Sequence, residues 1–284
     1  MPTEPRACRV ADITIAKGQP LAIIAGPCVL ESLEQGLAIG RAMKQACATA
    51  GLPYIFKASF DKANRSSITS YRGPGIDEGL ALINQIGAEL SVPTTTDIHE
   101  PSQSTAIAKA VDLIQIPAFL CRQTDLLLAA GQAAKEFGRA VNTKKGQFLS
   151  PAEMVGPVAK LSEAGLDNQM LTERGTFFGY HRLVNDFTGL GDLMELSSEQ
   201  GSPPVCFDVT HSTQLPGSGT QTGGRPERAP LLARAATAAG VNALFIETHP
   251  DPSSAKSDGA TVLPIDVASD IITDCARIRN ALSN

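Results

Sequence analysis

The segment from 56 to 67, FKASFDKANRSS, sets Lys57, Lys62, Asn64, Arg65, Ser66 and Ser67 directly after the apolar run Tyr54-Ile55-Phe56. Three cations and several neutral donors in so short a stretch suit a phosphate or a carboxylate, which takes charge-assisted hydrogen bonds from each of them. A solvated surface loop would account for the charges alone. Lys57, however, abuts residues of core type, where a lysine is costly unless it is partnered. Seven other short apolar runs finish the same way, on Cys28, Asp97, Gln115, Lys144, Arg174, His211 and Glu247. Any one of these has an ordinary structural explanation: a small core thiol, a helix cap, a satisfied buried amide or imidazole. Eight together do not. The set divides by charge. Lys57, Lys62, Arg65, Lys144 and Arg174 form a cationic group for phosphate and carboxylate. Cys28, His211 and Glu247 offer a soft sulfur, an imidazole and an oxygen. With Asp258 of the polar loop Ser257-Asp258-Gly259 as a fourth donor, they make a site for a divalent transition metal. His249, His99 and His181 compete as imidazoles.

These residues lie far apart in the chain, so only a fold that gathers strand ends can bring them together. The pattern predicts a short N-terminal hairpin strand within Val10–Lys17. Strands follow at 21–25, 53–59, 92–98, 112–116, 140–145, 169–174, 205–210 and 242–248. Helices are expected from Ser32 as cap to about Ala50, over 76–90, 102–110, from Thr124 as cap to Phe137, after a capping box at Ser150–Glu153, around 192–199, and over 227–239 and 267–282. Eight strand–helix units in this length point to a (β/α)8 TIM barrel, an α/β fold in which residues 1–284 form a single domain and every strand's C-terminal end opens on one mouth. A doubly wound open sheet is the rival, and no GxGxxG follows the first strand to favour it. The stretch 217–224, GSGTQTGG, reads as a loop over or beside the active face.

At 284 residues, with 43% hydrophobic and 19% charged, the chain can bury a large core. Its 29 acidic against 24 basic residues give a net charge of −5, so no global field recruits nucleic acid, and anionic substrates must be met by local clusters. No apolar run approaches the roughly 20 residues that span a bilayer, and the N-terminus lacks a secretory pattern. Six scattered cysteines without CxxC pairing read as reduced thiols, which makes the cytoplasm the expected compartment.

The segments IIAGPCVLES (23–32), FKASFDKANRSS, GPGIDEGL, TTTDIHEP, IQIPAFLCRQTDLL, VNTKKGQF, LTERGTFFGY, FDVTHSTQLPG and ETHPDPSSAKSDG resemble the 3-deoxy-D-manno-octulosonate 8-phosphate synthases (2-dehydro-3-deoxyphosphooctonate aldolases) over nearly the whole chain. The related 3-deoxy-heptulosonate 7-phosphate synthases share the GPC opening, with a KPRTSPY-like segment in place of FKASFDKANRSS. The resemblance implies condensation of phosphoenolpyruvate with arabinose 5-phosphate, with C–O cleavage, for lipopolysaccharide (Kdo) biosynthesis. Lys57, Lys62, Gln115, Lys144, Arg174 and His211 would surround phosphoenolpyruvate. Asn64, Arg65, Ser66, Asp97, Pro117 and Ala118 would line the sugar-phosphate end, and Arg122 would reach the sugar phosphate of a neighbouring subunit in a homotetramer. Lys57, Lys62, His211 and Asp258 are the expected catalytic groups. Cys28 after Gly-Pro, and Ser257 before Asp258-Gly259, match the metal-requiring branch, with Cys28, His211, Glu247 and Asp258 holding Zn²⁺, Fe²⁺ or Mn²⁺. Two further readings of the residues stand beside it: a Schiff-base aldolase using Lys57 or Lys144, and a non-catalytic phosphosugar-binding barrel.

Overall fold

Alternation along each strand decides what the barrel encloses. The computed structural model describes residues 5–64, 68–216 and 223–282. A hairpin of β1 (Cys8–Val10) and β2 (Ile13–Ile15) precedes β3 (Ala22–Gly26), α1 (Leu33–Ala50), β4 (Tyr54–Lys57), α2 (Ile76–Leu90), β5 (Thr94–Asp97), α3 (Ser104–Ala110), β6 (Leu113–Ile116), α4 (Thr124–Phe137), β7 (Ala140–Lys144), α5 (Val155–Glu163), β8 (Gln169–Glu173), α6 (Phe187–Met194) and β9 (Val205–Asp208). After the short pair β10 (Gln214–Leu215) and β11 (Gly223–Gly224) come α7 (Ala229–Ala239), β12 (Ala243–His249), β13 (Leu263–Pro264) and α8 (Ile265–Leu282). Strands β3 to β9 pair in sequence order, and β12 closes the circle by pairing with both β9 and β3, all parallel. This is the expected eight-stranded α/β barrel, with a hairpin at its N-terminal side.

Every second residue of a strand faces the lumen. Ala22, Ile24, Ile55, Leu113, Ala140, Met170, Cys206, Ala243 and Phe245 make an inner apolar cluster, and Cys8, Val10 and Ile15 of the hairpin pack onto it. The lower barrel is therefore filled and closed. The outward residues, among them Ile23, Ala25, Phe56, Ile114, Val141, Leu171, Phe207, Leu244 and Ile246, pack against the helices in a separate cluster. Continuing the inward alternation upward from Ile55, Leu113, Ala140, Met170, Cys206 and Phe245 arrives at Lys57, Gln115, Asn142 and Lys144, Thr172, Asp208 and Glu247. The apolar plug below thus fixes which polar residues meet above it.

Three local expectations are corrected. Thr124 is the first residue of α4 and not its cap; Gln123 precedes it without a side-chain capping bond. Only half of the box at Ser150–Glu153 forms: Glu153 accepts from both the backbone N–H and the hydroxyl of Ser150, while the chain enters a 3-10 turn at Ala152 before α5. The helix expected at 192–199 lies earlier, at Phe187–Met194, capped by Asp186 accepting from Thr188 N–H. Gly189 and Gly191 lower the helical propensity of that stretch and hid it. Arg65 and Ser66, and most of GSGTQTGG, lie outside the described residues.

At Gly26 the mouth depends on a missing side chain. A Cβ there would meet the Lys57 carbonyl oxygen at 1.9 Å, so β3 and β4 approach this closely only with glycine. Gly26→Ala must push apart the two strands that carry Cys28 and Lys57. It should destabilise the fold by at least about 2 kcal/mol in urea unfolding; a variant as stable as the parent would show that the strands separate freely.

Candidate active site

Lys57 is almost fully buried at the top of β4 and spends all three of its N–H donors. It donates to Glu247 Oε1, to the Cys28 carbonyl at 2.9 Å and to the Pro27 carbonyl at 3.3 Å. Lys144, on β7, donates to Asp208 Oδ2 at 2.7 Å. Both ammonium groups stand over the Phe245 ring, at 5.4 Å and 3.7 Å from its centroid. The ring is thus an apolar floor that also favours cations. Burial pushes the Glu247 carboxyl upward, but Lys57 and His211 outweigh it and hold it well below the usual carboxylate range. Asp208 follows the same balance, with burial overcome by His211 and Lys144. Both are therefore carboxylates at neutral pH.

Cys28, Glu247 and Asp258 meet. Among the described residues, the Cys28 sulfur and one carboxylate oxygen from each of the others all lie within 4.8 Å of one another. The Cys28 thiol donates to Asp258 Oδ2 at 3.1 Å. Burial, reinforced by Asp258 and Glu247, pushes that thiol well above its ordinary pKa. Glu247 Oε2 is buried without a hydrogen-bond partner. A thiol pressed against two carboxylates, with one carboxylate oxygen unsatisfied, fits a divalent cation that would take the thiolate and the free oxygen. His211 stands at the edge of this group, its Nε2 at 3.6 Å from Glu247 and 4.0 Å from Asp258. Its other nitrogen, Nδ1, is 2.8 Å from Asp208 Oδ2. A carboxylate behind the ring in this way fixes its orientation and aims Nε2 at the donor set. His249 does not join: its ring is engaged by Gln35 and the Asp251 N–H.

The cationic side of the mouth is equally ordered. Lys62 donates to Ser59 Oγ at 3.0 Å. Burial works against its charge, yet Cys28, Glu247 and Asp97 outweigh burial and raise its pKa. Arg174, buried just past β8, gives one arm to Gln214 Oε1 while Nη1 is buried with no partner. An unsatisfied guanidinium arm in a carboxylate-lined mouth is an anion site in waiting. Burial lowers the Arg174 pKa against the pull of Asp208 and Asp258, and a guanidinium keeps its charge in proteins. Asp97 accepts from Ser59 Oγ and Gln115 Nε2. Gln115 Oε1 accepts from Asn142 Nδ2 at 3.3 Å, and Asn142 Oδ1 from Thr172 Oγ1 at 2.7 Å. The result is a belt of hydrogen bonds across five strand ends. Burial again opposes charge on Asp97, and Lys57 and Lys62 overcome it to hold the carboxyl low.

Of the remaining predicted residues, Pro117 and buried Ala118 follow β6 on the same rim, while Asn64 and Arg122 are exposed. Sequence reasoning missed Asp208, Ser59, Asn142 and Phe245. The signal for three of them was present: Asn142 lies two before Lys144, Phe245 two before Glu247 and Asp208 two after Cys206, which places each on the lumen side.

Comparison with known proteins places the chain among relatives of one family. The profile described as the DAHP synthetase I family matches residues 2–277. The chain is 49% identical over 263 residues to a protein of Syntrophotalea carbinolica named 2-dehydro-3-deoxyphosphooctonate aldolase, covering 92% of each chain. Proteins of the same name from Koribacter versatilis and Caulobacter vibrioides are 46% and 48% identical, covering 97% and 90% of this chain and 96% and 86% of theirs.

The pH dependence of stability follows from the three depressed carboxyls. Asp97, Asp208 and Glu247 each contribute stability above their unfolded pKa of about 4, and that contribution is lost as pH falls through this value toward the lower folded one. Urea unfolding should show stability dropping below about pH 5. Asp208→Asn should make the drop shallower and cost about 3 kcal/mol at pH 7, because Lys144 is left buried without its counter-charge. A parent profile that stays flat to about pH 3 would contradict this.

Proposed function

Because the chain belongs to the DAHP synthetase I family, and within it to the 2-dehydro-3-deoxyphosphooctonate aldolases, we propose that its barrel mouth condenses phosphoenolpyruvate with D-arabinose 5-phosphate and water. The products are 3-deoxy-D-manno-octulosonate 8-phosphate, a precursor for lipopolysaccharide (Kdo) biosynthesis, and inorganic phosphate. The observation that carries this reading is the juxtaposition of the Cys28–Glu247–Asp258 donor group with Lys57, Lys62, Lys144 and Arg174 on one rim. A compound with a carboxylate and a phosphate needs such a field, and an aldehyde partner needs an electrophilic site beside it.

In this mechanism Arg174, through its free Nη1, and Lys62 bind the phosphate and carboxylate of phosphoenolpyruvate. Lys57 and Lys144, fixed over Phe245, supply positive potential that does not reorganise as charge develops at C2. Asp97, held by Gln115 and Ser59, orients sugar hydroxyls, with Asn64, Arg65, Ser66, Pro117 and Ala118 around the aldose phosphate. His211, aligned by Asp208, holds or moves a proton at Nε2 beside the reacting carbons. Zn²⁺, Fe²⁺ or Mn²⁺ held by Cys28, His211, Glu247 and Asp258 supplies Lewis-acid chemistry when bound. C3 attack on the aldehyde and water attack at C2 leave a hemiketal phosphate, which expels phosphate by C–O cleavage. Arg122 extends to a neighbouring subunit of a cytoplasmic homotetramer. The imine alternative loses support from the lysines themselves. Lys57 has no free N–H donor, and Lys144 is pinned to Asp208.

Phosphate release measured with arabinose 5-phosphate, erythrose 4-phosphate and ribose 5-phosphate tests the assignment. Arabinose 5-phosphate should turn over best; a chelator should abolish the activity and added divalent metal restore it. Equal or better turnover with erythrose 4-phosphate would refute the sugar, and activity indifferent to chelator would refute the metal.

A further inference from the structure

The three segments that carry Cys28, Glu247 and Asp258 are joined a second time, close to the donor group, by residues with no assigned role. Glu31 lies three residues after Cys28, His249 two after Glu247, and Lys256 two before Asp258. Glu31 Oε1 accepts the backbone N–H of Lys256 at 3.0 Å and lies 3.5 Å from His249 Nε2. His249 is buried, and its Nδ1 accepts the backbone N–H of Asp251 at 3.0 Å. The neutral ring therefore carries its proton on Nε2, which faces the Gln35 amide at 2.7 Å as well as Glu31. A proton there calls for the amide oxygen as its partner, an orientation that also satisfies the otherwise unbonded Gln35 Oε1. Glu31 is itself well fixed. The next residue, Ser32, caps α1 by accepting from Gln35 N–H at 3.1 Å, so the carboxylate projects from a helix start and not from a free loop.

Asp258 needs such support. It sits at φ 51°, a left-handed conformation that costs a non-glycine residue energy and persists only where its surroundings impose it. Its segment, from Pro250 to Ala260, has no buried residue and hence little packing of its own to impose anything. The Thr261 and Val262 N–H groups, at 2.8 and 3.0 Å from the Asp258 carbonyl, fix the C-terminal side of the turn. On the N-terminal side, Lys256 N–H to Glu31 is the tie back to the barrel, with the Lys256 ammonium 4.6 Å from the Tyr71 ring centre as a weaker second hold.

We propose that Glu31, supported by His249, is a positioning residue for the metal site: it tethers the loop bearing Asp258 to the loop bearing Cys28 and so sets the spacing of the donor atoms. This rests on the metal-site reading above. The tether acts through a carbonyl-type oxygen at Lys256 N–H and not through charge at the metal. The carboxamide of Glu31→Gln therefore preserves it, and Glu31→Ala removes it.

Co²⁺ loaded into the full chain provides the test, because thiolate-to-metal charge-transfer absorption reports Cys28 while competition with a chelator reports affinity. Glu31→Ala should keep the charge-transfer band and bind Co²⁺ about 10- to 100-fold more weakly, with faster amide exchange across 250–262. Glu31→Gln should stay within about threefold of the parent, well short of the loss expected when such support is removed. His249→Asn approaches the same tether from β12, and should weaken Co²⁺ binding in the same direction even if Glu31→Ala folds poorly. The proposal is overturned if Glu31→Ala and His249→Asn both bind Co²⁺ like the parent, or if Glu31→Gln is as weak as Glu31→Ala. A parent without the band, or a Cys28→Ala variant that keeps it, would instead overturn the metal site itself and this proposal with it.

Discussion

Two buried lysines share one phenyl ring, and each must be neutralised where it stands. Lys57 on β4 and Lys144 on β7, with two strands between them, converge over Phe245, and both are buried. Buried charge is tolerated only with a close, well-made partner. Glu247 answers Lys57 and Asp208 answers Lys144, and both carboxyls are held low by those same cations. From these two pairs much of the mouth follows. Glu247 is fixed with one oxygen spare, and Asp208 turns the His211 ring.

The arrangement separates roles by depth. Below Phe245 the lumen is apolar and closed by the hairpin, so the floor cannot admit water. At the level of the strand ends lie the paired cations and the belt from Ser59 to Thr172, whose members satisfy one another and do not move independently. Above them, Arg174 with its free arm, Lys62 and the Cys28–Asp258 contact remain available to ligands. Rigid charge below and unsatisfied charge above is the division expected of a site that stabilises developing charge and does not simply bind a fixed anion.

Much of this was legible in the chain itself. Short apolar runs ending in polar residues gave the strands, and their recurrence gave the barrel. Inward alternation from Ile55 to Lys57, or from Phe245 to Glu247, is the same periodicity that produces the apolar plug. What stayed hidden depends on partners distant in sequence. Alternation puts Asp208 on the lumen side of its strand, but its role shows only once His211 and Lys144 are seen on either side of it. Glu31 reads as a polar residue ahead of a helix cap, because its partner is a backbone N–H 225 residues away. The helix at Phe187–Met194 is hard to place from propensity because Gly189 obeys packing: it sits against Asp186 and Pro151, where a Cβ would crowd both.

The central claim is that this mouth directs its field at carbon C2 of phosphoenolpyruvate and not at phosphorus. Phosphoenolpyruvate labelled with ¹⁸O in the bridging position tests it most directly, by mass analysis of the phosphate released with arabinose 5-phosphate. The account predicts that the phosphate keeps the bridging label, because the C–O bond breaks. Label retained in the sugar acid, with unlabelled phosphate, would mean attack at phosphorus and would contradict the account.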